Sequence, residues 1–144
     1  MITLLQRVSE ASVSIEGKCI ADIDKGILVF VGIQTSDSEE IAGKFVSRLL
    51  NYRVFSDSKG KMNLSLLDVQ GSLLLVPQFT LAANTRKGRR PSFASAAPPA
   101  QAELIYQTMI DAARNSYPKV KSGQFGADMQ VKLVNDGPVS FILN

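Results

Sequence analysis

The chain has 144 residues, enough for one domain (1–144) around one core, and at 45% hydrophobic and 20% charged it has an ordinary globular composition. A net charge of +3 permits an anionic partner without requiring one. Histidine is absent, which excludes a Ser-His-Asp triad, a Cys-His dyad and a His-based zinc site, and the single Cys19 cannot form an internal disulfide.

The first residues, Met1 to Val8, lack the basic and long apolar regions of a signal peptide and are predicted to open on a strand. No apolar run approaches the roughly 18 residues of a membrane span. Ile2–Val8 and Ala11–Ile15 have β-type content, broken at Ser9-Glu10. Glu16-Gly17-Lys18 is a hairpin turn, and Cys19–Ile23 a short strand. Ile27–Ile33 is nearly all apolar, as expected of a central strand buried on both faces.

Ser36 or Asp37 is predicted to cap a helix whose buried stripe is Ile41, Phe45, Val46, Leu49 and Leu50. Asn51–Phe55 reads as a strand, Asp57 to Gly60 as a turn, Leu64–Leu67 as ambiguous, and Ser72–Val76 as a buried strand ending at Pro77. Residues 82–99 are irregular, rich in Ala, Ser, Pro and basic side chains, and long enough that a functional loop is expected. Pro98-Pro99 opens a second helix, with Leu104 or Ile105, Met109, Ala112 and Ala113 inward and Pro118 at its end. Gly123–Ala127 and Met129–Leu143 complete the sheet, with a tight corner at Gly137-Pro138. The order matches neither a Rossmann fold nor a barrel. It predicts an α/β layered sheet with helices on one side, and an apolar final strand pair that invites a second copy of the chain.

Three segments carry candidate chemistry. Gln78-Phe79-Thr80 follows a buried strand and offers an amide, a hydroxyl and two backbone N–H groups that could face an oxyanion, although ordinary strand termination has the same pattern. Arg86, Lys87, Arg89 and Arg90 are phosphate-binding candidates or simply a solvated loop. Asp136 to Ser140 is by spacing a turn between strands. Its proline, lacking an N–H, belongs at an edge or bend. Arg7 is a lone cation in the first strand, either solvent-facing or a donor to a nearby carbonyl. No carboxylate pair, P-loop, GxGxxG or CxxC is present, so neither metal nor cofactor is expected.

Taken together, Gln6-Arg7-Val8, Asn51 to Asp57, Lys61-Met62-Asn63, Gln78-Phe79-Thr80-Leu81, Lys87 to Phe93, Gly123 to Met129 and Asn135 to Val139 resemble the D-aminoacyl-tRNA deacylases along essentially the whole chain. The resemblance implies a layered β/β/α sandwich of mostly antiparallel sheets with two main helices packed on one side. It also implies a cytoplasmic homodimer that binds no DNA or membrane. Such an enzyme cleaves the ester between a D-amino acid, or glycine mischarged on tRNA(Ala), and the 3′-terminal adenosine of tRNA. Gly137 and Pro138, joined by a cis peptide and steadied by Arg7, would then exclude L-amino acids across the dimer. Gln78, Phe79 and Thr80 would line the reacting ester, and Phe125 and Met129 the pocket or the adenine. The 2′-hydroxyl of the terminal ribose would replace a protein base.

Two positions depart from the family pattern: Pro77 stands for its usual Ser, and Ser140 for its usual Thr. Pro77 resembles the animal-type branch, which accepts some L-amino acids. A non-catalytic dimeric tRNA-binding protein is the further alternative.

Overall fold

A computed structural model of the chain describes residues 1–144. Strand β1 (Ile2–Ile15) runs through the predicted break at Ser9-Glu10 without stopping. On one side it pairs antiparallel with β2 (Lys18–Ile23) through its second half and with β3 (Gly26–Gly32) through its first. On the other side it pairs along nearly its whole length with β8 (Gln130–Leu143). What remains of the break is a register shift against β8 between Val8 and Glu10. Beyond β3 the sheet continues in parallel with β6 (Ser72–Pro77) and β7 (Val120–Ser122).

The apolar run in β3 is explained by two cores, one on each face. Ile27, Val29, Leu73 and Leu75 point to helices α1 (Glu39–Asn51) and α3 (Pro99–Ser116), where they meet Phe45, Leu49, Ile105 and Met109. Their strand neighbours Leu28, Leu74 and Val76 point the other way, against Val8, Val13, Ala21 and Ile23. The second half of β1, with β2, therefore folds across the free face of β3 and β6. Two layers of strands and one of helices result, as the β/β/α prediction requires.

Local differences have local causes. The α1 cap is Ser38, because Asp37 is instead buried against the Met1 ammonium and the Gln34 amide. Residues 52–54 are not a strand; β4 is only Phe55–Ser56, paired with β5 (Met62–Leu64). The ambiguous Leu64–Leu67 resolves at Ser65, which forms a capping box with Asp68 and starts the short helix α2 (Leu66–Val69). In α3 the buried stripe includes Tyr106, while Leu104 faces out at 56% exposure. The strand after Pro118 is β7; Gly123–Ala127 is irregular. No helix is long and apolar enough to cross a membrane.

The largest correction concerns Gly137-Pro138. The chain does not turn back there: β8 is one strand, interrupted by a bulge. Residues 136–139 lie opposite Arg7 alone, between the pairs Val8–Asn135 and Gln6–Ser140. Proline is tolerated because this is an edge strand and the bulge needs no ladder donor. The Gly137-Pro138 peptide is cis.

Candidate active site

Strand β6 ends at Pro77, and the Gln78 N–H makes one more parallel contact, to the Val31 carbonyl at 2.8 Å. Phe79–Ala82 then forms a single 3-10 turn. Gly32 allows it to sit there: a Cβ on Gly32 would lie 2.8 Å from the Leu81 Cβ and 3.2 Å from the Gln78 carbonyl. Phe79 and Thr80 open the turn, so their N–H groups have no acceptor within it. The Gln78 amide donates to the Thr80 hydroxyl. An amide donor cannot take the hydroxyl's proton, so the contact orients Thr80 without activating it as a nucleophile.

Beside the turn is a cavity of about 460 Å³, lined on one side by Val76, Pro77, Gln78 and Phe79 and on the other by Phe125, Gly126, Ala127 and Met129. Ala97, just before α3, and Pro99 and Ala102, in its first turn, extend the lining. The wall 123–129 has no regular structure of its own, but it is fixed to the sheet. The Leu75 carbonyl accepts from the Gly123 N–H at 2.8 Å and from the Tyr106 hydroxyl at 2.9 Å, with the Gly123 carbonyl 3.3 Å from the same hydroxyl. The Tyr106 ring packs on Phe125 with centroids 6.3 Å apart. Burial raises the Tyr106 phenol far above its usual value, so it remains a donor.

The Gly-Pro bulge is held by a different set of contacts. Arg7 donates from Nε to the Asp136 carbonyl at 3.0 Å and from Nη1 to the Val54 carbonyl at 2.7 Å. At the other end, the Asn135 side chain accepts from the Val139 N–H at 2.7 Å and donates to Ser140 Oγ at 2.9 Å, and Gln6 donates to the same oxygen at 3.1 Å. Gly137 has φ +134°, and a Cβ there would meet Val139 Cγ2 at 2.7 Å and Arg7 Nη2 at 3.1 Å. Both Gly137 and Pro138 are exposed.

Of the predicted site residues, Gln78, Phe79, Phe125 and Met129 line one cavity, with Thr80 tied to Gln78. Arg7, Gly137 and Pro138 form a second cluster that contributes nothing to that cavity. Arg86, Lys87, Arg89 and Arg90 form a third on an exposed loop, pinched at its base by paired Asn84 and Ser92. Tyr106, Asn135 and Ser140 join the framing of the cavity and the bulge without a separate role legible in the sequence. A tyrosine on a buried helical stripe and an asparagine before a turn were the available signals.

A family model described as D-Tyr-tRNA(Tyr) deacylase matches residues 4–144. The chain belongs to that family. A D-aminoacyl-tRNA deacylase of Pseudomonas aeruginosa is 61% identical over 143 residues, 99% of each chain. Another from Stutzerimonas stutzeri is 56% identical over 140 residues, 97% of each. Among solved structures, a c-Myc DNA unwinding element binding protein superposes with TM-score 0.95 at 41% identity, covering 100% of this chain and 98% of that one. A probable eukaryotic D-amino acid tRNA deacylase does so with TM-score 0.87, covering 99% and 97%; at 15% identity it speaks for the fold alone. As a member of the deacylase family, the chain is a hydrolase, a D-aminoacyl-tRNA deacylase.

Proposed function

We propose that this deacylase works in the cytoplasm as a homodimer. It cleaves the ester joining a D-amino acid, or glycine mischarged on tRNA(Ala), to the 3′-terminal adenosine of tRNA. The terminal adenosine enters the cavity against Phe125 and Met129, with the ester at Gln78 and Thr80. The N–H groups opening the Phe79–Ala82 turn stabilise the developing oxyanion, a contribution of about 3 kcal/mol per donor in other acyl-transfer sites. The 2′-hydroxyl of the terminal ribose supplies the proton-handling group that the protein lacks. Arg86, Lys87, Arg89 and Arg90 contact the tRNA backbone.

The observation that carries this reading is the separation of cavity and bulge within one chain. The Gly137-Pro138 segment is exposed and pinned at both ends, yet it lines no part of the cavity in its own subunit. In a dimer it reaches the partner's cavity, where a rigid backbone excludes the side chain of an L-amino acid. Sedimentation of the purified protein should give a dimer. D-tyrosyl-tRNA ending in 2′-deoxyadenosine should be hydrolysed at least a hundredfold more slowly than the ordinary substrate, and full activity on it would remove the 2′-hydroxyl from the mechanism.

A further inference from the structure

The sequence from Val69 to Ala102 contains no carboxylate, and the four cations at 86–90 have no ion-pair partner. Their loop is short and held. Asn84 and Ser92 exchange both backbone hydrogen bonds, at 2.8 and 3.0 Å, and the Asn84 side chain accepts from the Arg86 N–H at 3.0 Å. The residue directly after this pinch is Phe93, 41% exposed, whose own carbonyl accepts from the Ala96 N–H. Its ring lies 5.1 Å from that of Phe79, itself 57% exposed at the mouth of the cavity.

Two exposed aromatic rings side by side are costly in water unless they have a partner. A fixed aromatic surface beside unpaired cations is the arrangement that binds single-stranded nucleic acid: bases stack on the rings while the cations follow the phosphates. Phe79 borders the cavity proposed for the terminal nucleoside. Phe93 is the next aromatic surface outward, on the side of the basic loop.

We infer that Phe93 is a nucleobase-stacking site for the unpaired nucleotide preceding the terminal adenosine of the tRNA, with the 86–90 loop on its phosphates. Phe93 thereby sets the direction in which the 3′ strand enters. The assignment rests on the tRNA-substrate reading above and adds a binding residue that takes no part in the chemistry.

The test is a binding cycle with uncharged tRNA, either unmodified or carrying an abasic site at the nucleotide before the terminal adenosine. Phe93→Ala should weaken binding of unmodified tRNA about tenfold, the size of one lost stacking contact, and binding of the abasic tRNA less than twofold. Phe93→Tyr should retain wild-type affinity for both. Arg89→Ala with Arg90→Ala should instead weaken both tRNAs alike and flatten the salt dependence. Equal losses for Phe93→Ala on the two tRNAs, no loss on either, or no tRNA binding by the wild-type protein would each overturn the assignment. Failure of the deacylase reading would show separately, as no release of D-tyrosine from charged tRNA by the wild-type enzyme.

Discussion

The turn at Gln78–Ala82 and the bulge at Asp136–Val139 both present backbone polar groups to the outside, but they are built in opposite ways. The turn is framed mostly by backbone: a strand ends, Gly32 makes room, the Gln78 N–H bonds the Val31 carbonyl, and its side-chain ties are Gln78 to Thr80 and Ser95 to the Ala82 carbonyl. The bulge is held by long-range contacts from Gln6, Arg7 and the Val54 carbonyl, with Asn135 and Ser140 closing its base. Groups that stabilise a charge need only be aimed. A surface that must reject a substrate differing in the placement of one side chain has to resist being pushed aside. The denser bracing of the bulge suits rejection, and the lighter framing of the turn suits an oxyanion donor.

Substitutions can break that contrast, and the largest effect is expected at Gly137. Alanine there meets an unfavourable φ, Val139 and Arg7 together, so the bulge must move. If the bulge forms part of the partner's pocket, Gly137→Ala should lower kcat/KM on D-tyrosyl-tRNA by about a hundredfold, the effect of a misplacement near 1 Å. A bulge without a role would leave the rate unchanged. Next is Arg7→Ala, which removes two charge-assisted bonds of about 1.5–3 kcal/mol each. The expected result is a fall of about tenfold in the D-to-L rate ratio, larger than the fall in D-tyrosine release. Arg7→Lys should not restore it, since a single ammonium cannot span the Asp136 and Val54 carbonyls as the guanidinium does.

Tyr106→Phe tests the framing of the pocket. It leaves the Leu75 and Gly123 carbonyls without their hydroxyl donor and should cost about 1–3 kcal/mol, read as a drop in Tm of a few degrees. The pH sign follows from the raised phenol. Above the usual tyrosine value near 10 the unfolded chain loses this proton while the folded chain keeps it, so stability contributed by Tyr106 falls as pH rises past 10. Urea titrations of wild type and Tyr106→Phe between pH 8 and 11 should therefore converge. Smallest of all, Thr80→Ala should keep kcat within about fivefold, because Thr80 has no base to activate it. Complete loss with tRNA binding intact would restore a protein nucleophile.

The sequence was legible where period and composition act locally. Strands β3 and β6 follow from continuous apolar runs, and the apolar stripe of α1 from helical spacing. The second core was hidden in the same data: an apolar residue at every position of β3 signals two covered faces without saying what covers the second. The Gly-Pro segment reads as a reversal in sequence because nothing in it announces that β1 runs alongside both halves of β8. That pairing joins residues more than a hundred apart, and only Arg7, opposite the bulge, shows why four residues can stand against one. Tyr106 illustrates the same gap. Helical spacing places it inward, but its two carbonyl acceptors come from different segments that no local pattern links.

The central claim is that the braced bulge makes this deacylase chiral. Its most direct test is the ratio of kcat/KM for D-tyrosyl-tRNA and L-tyrosyl-tRNA, measured on the same tRNA with the wild-type enzyme. Release of D-tyrosine with the L-ester spared is the predicted result; equal or faster release of L-tyrosine would contradict it.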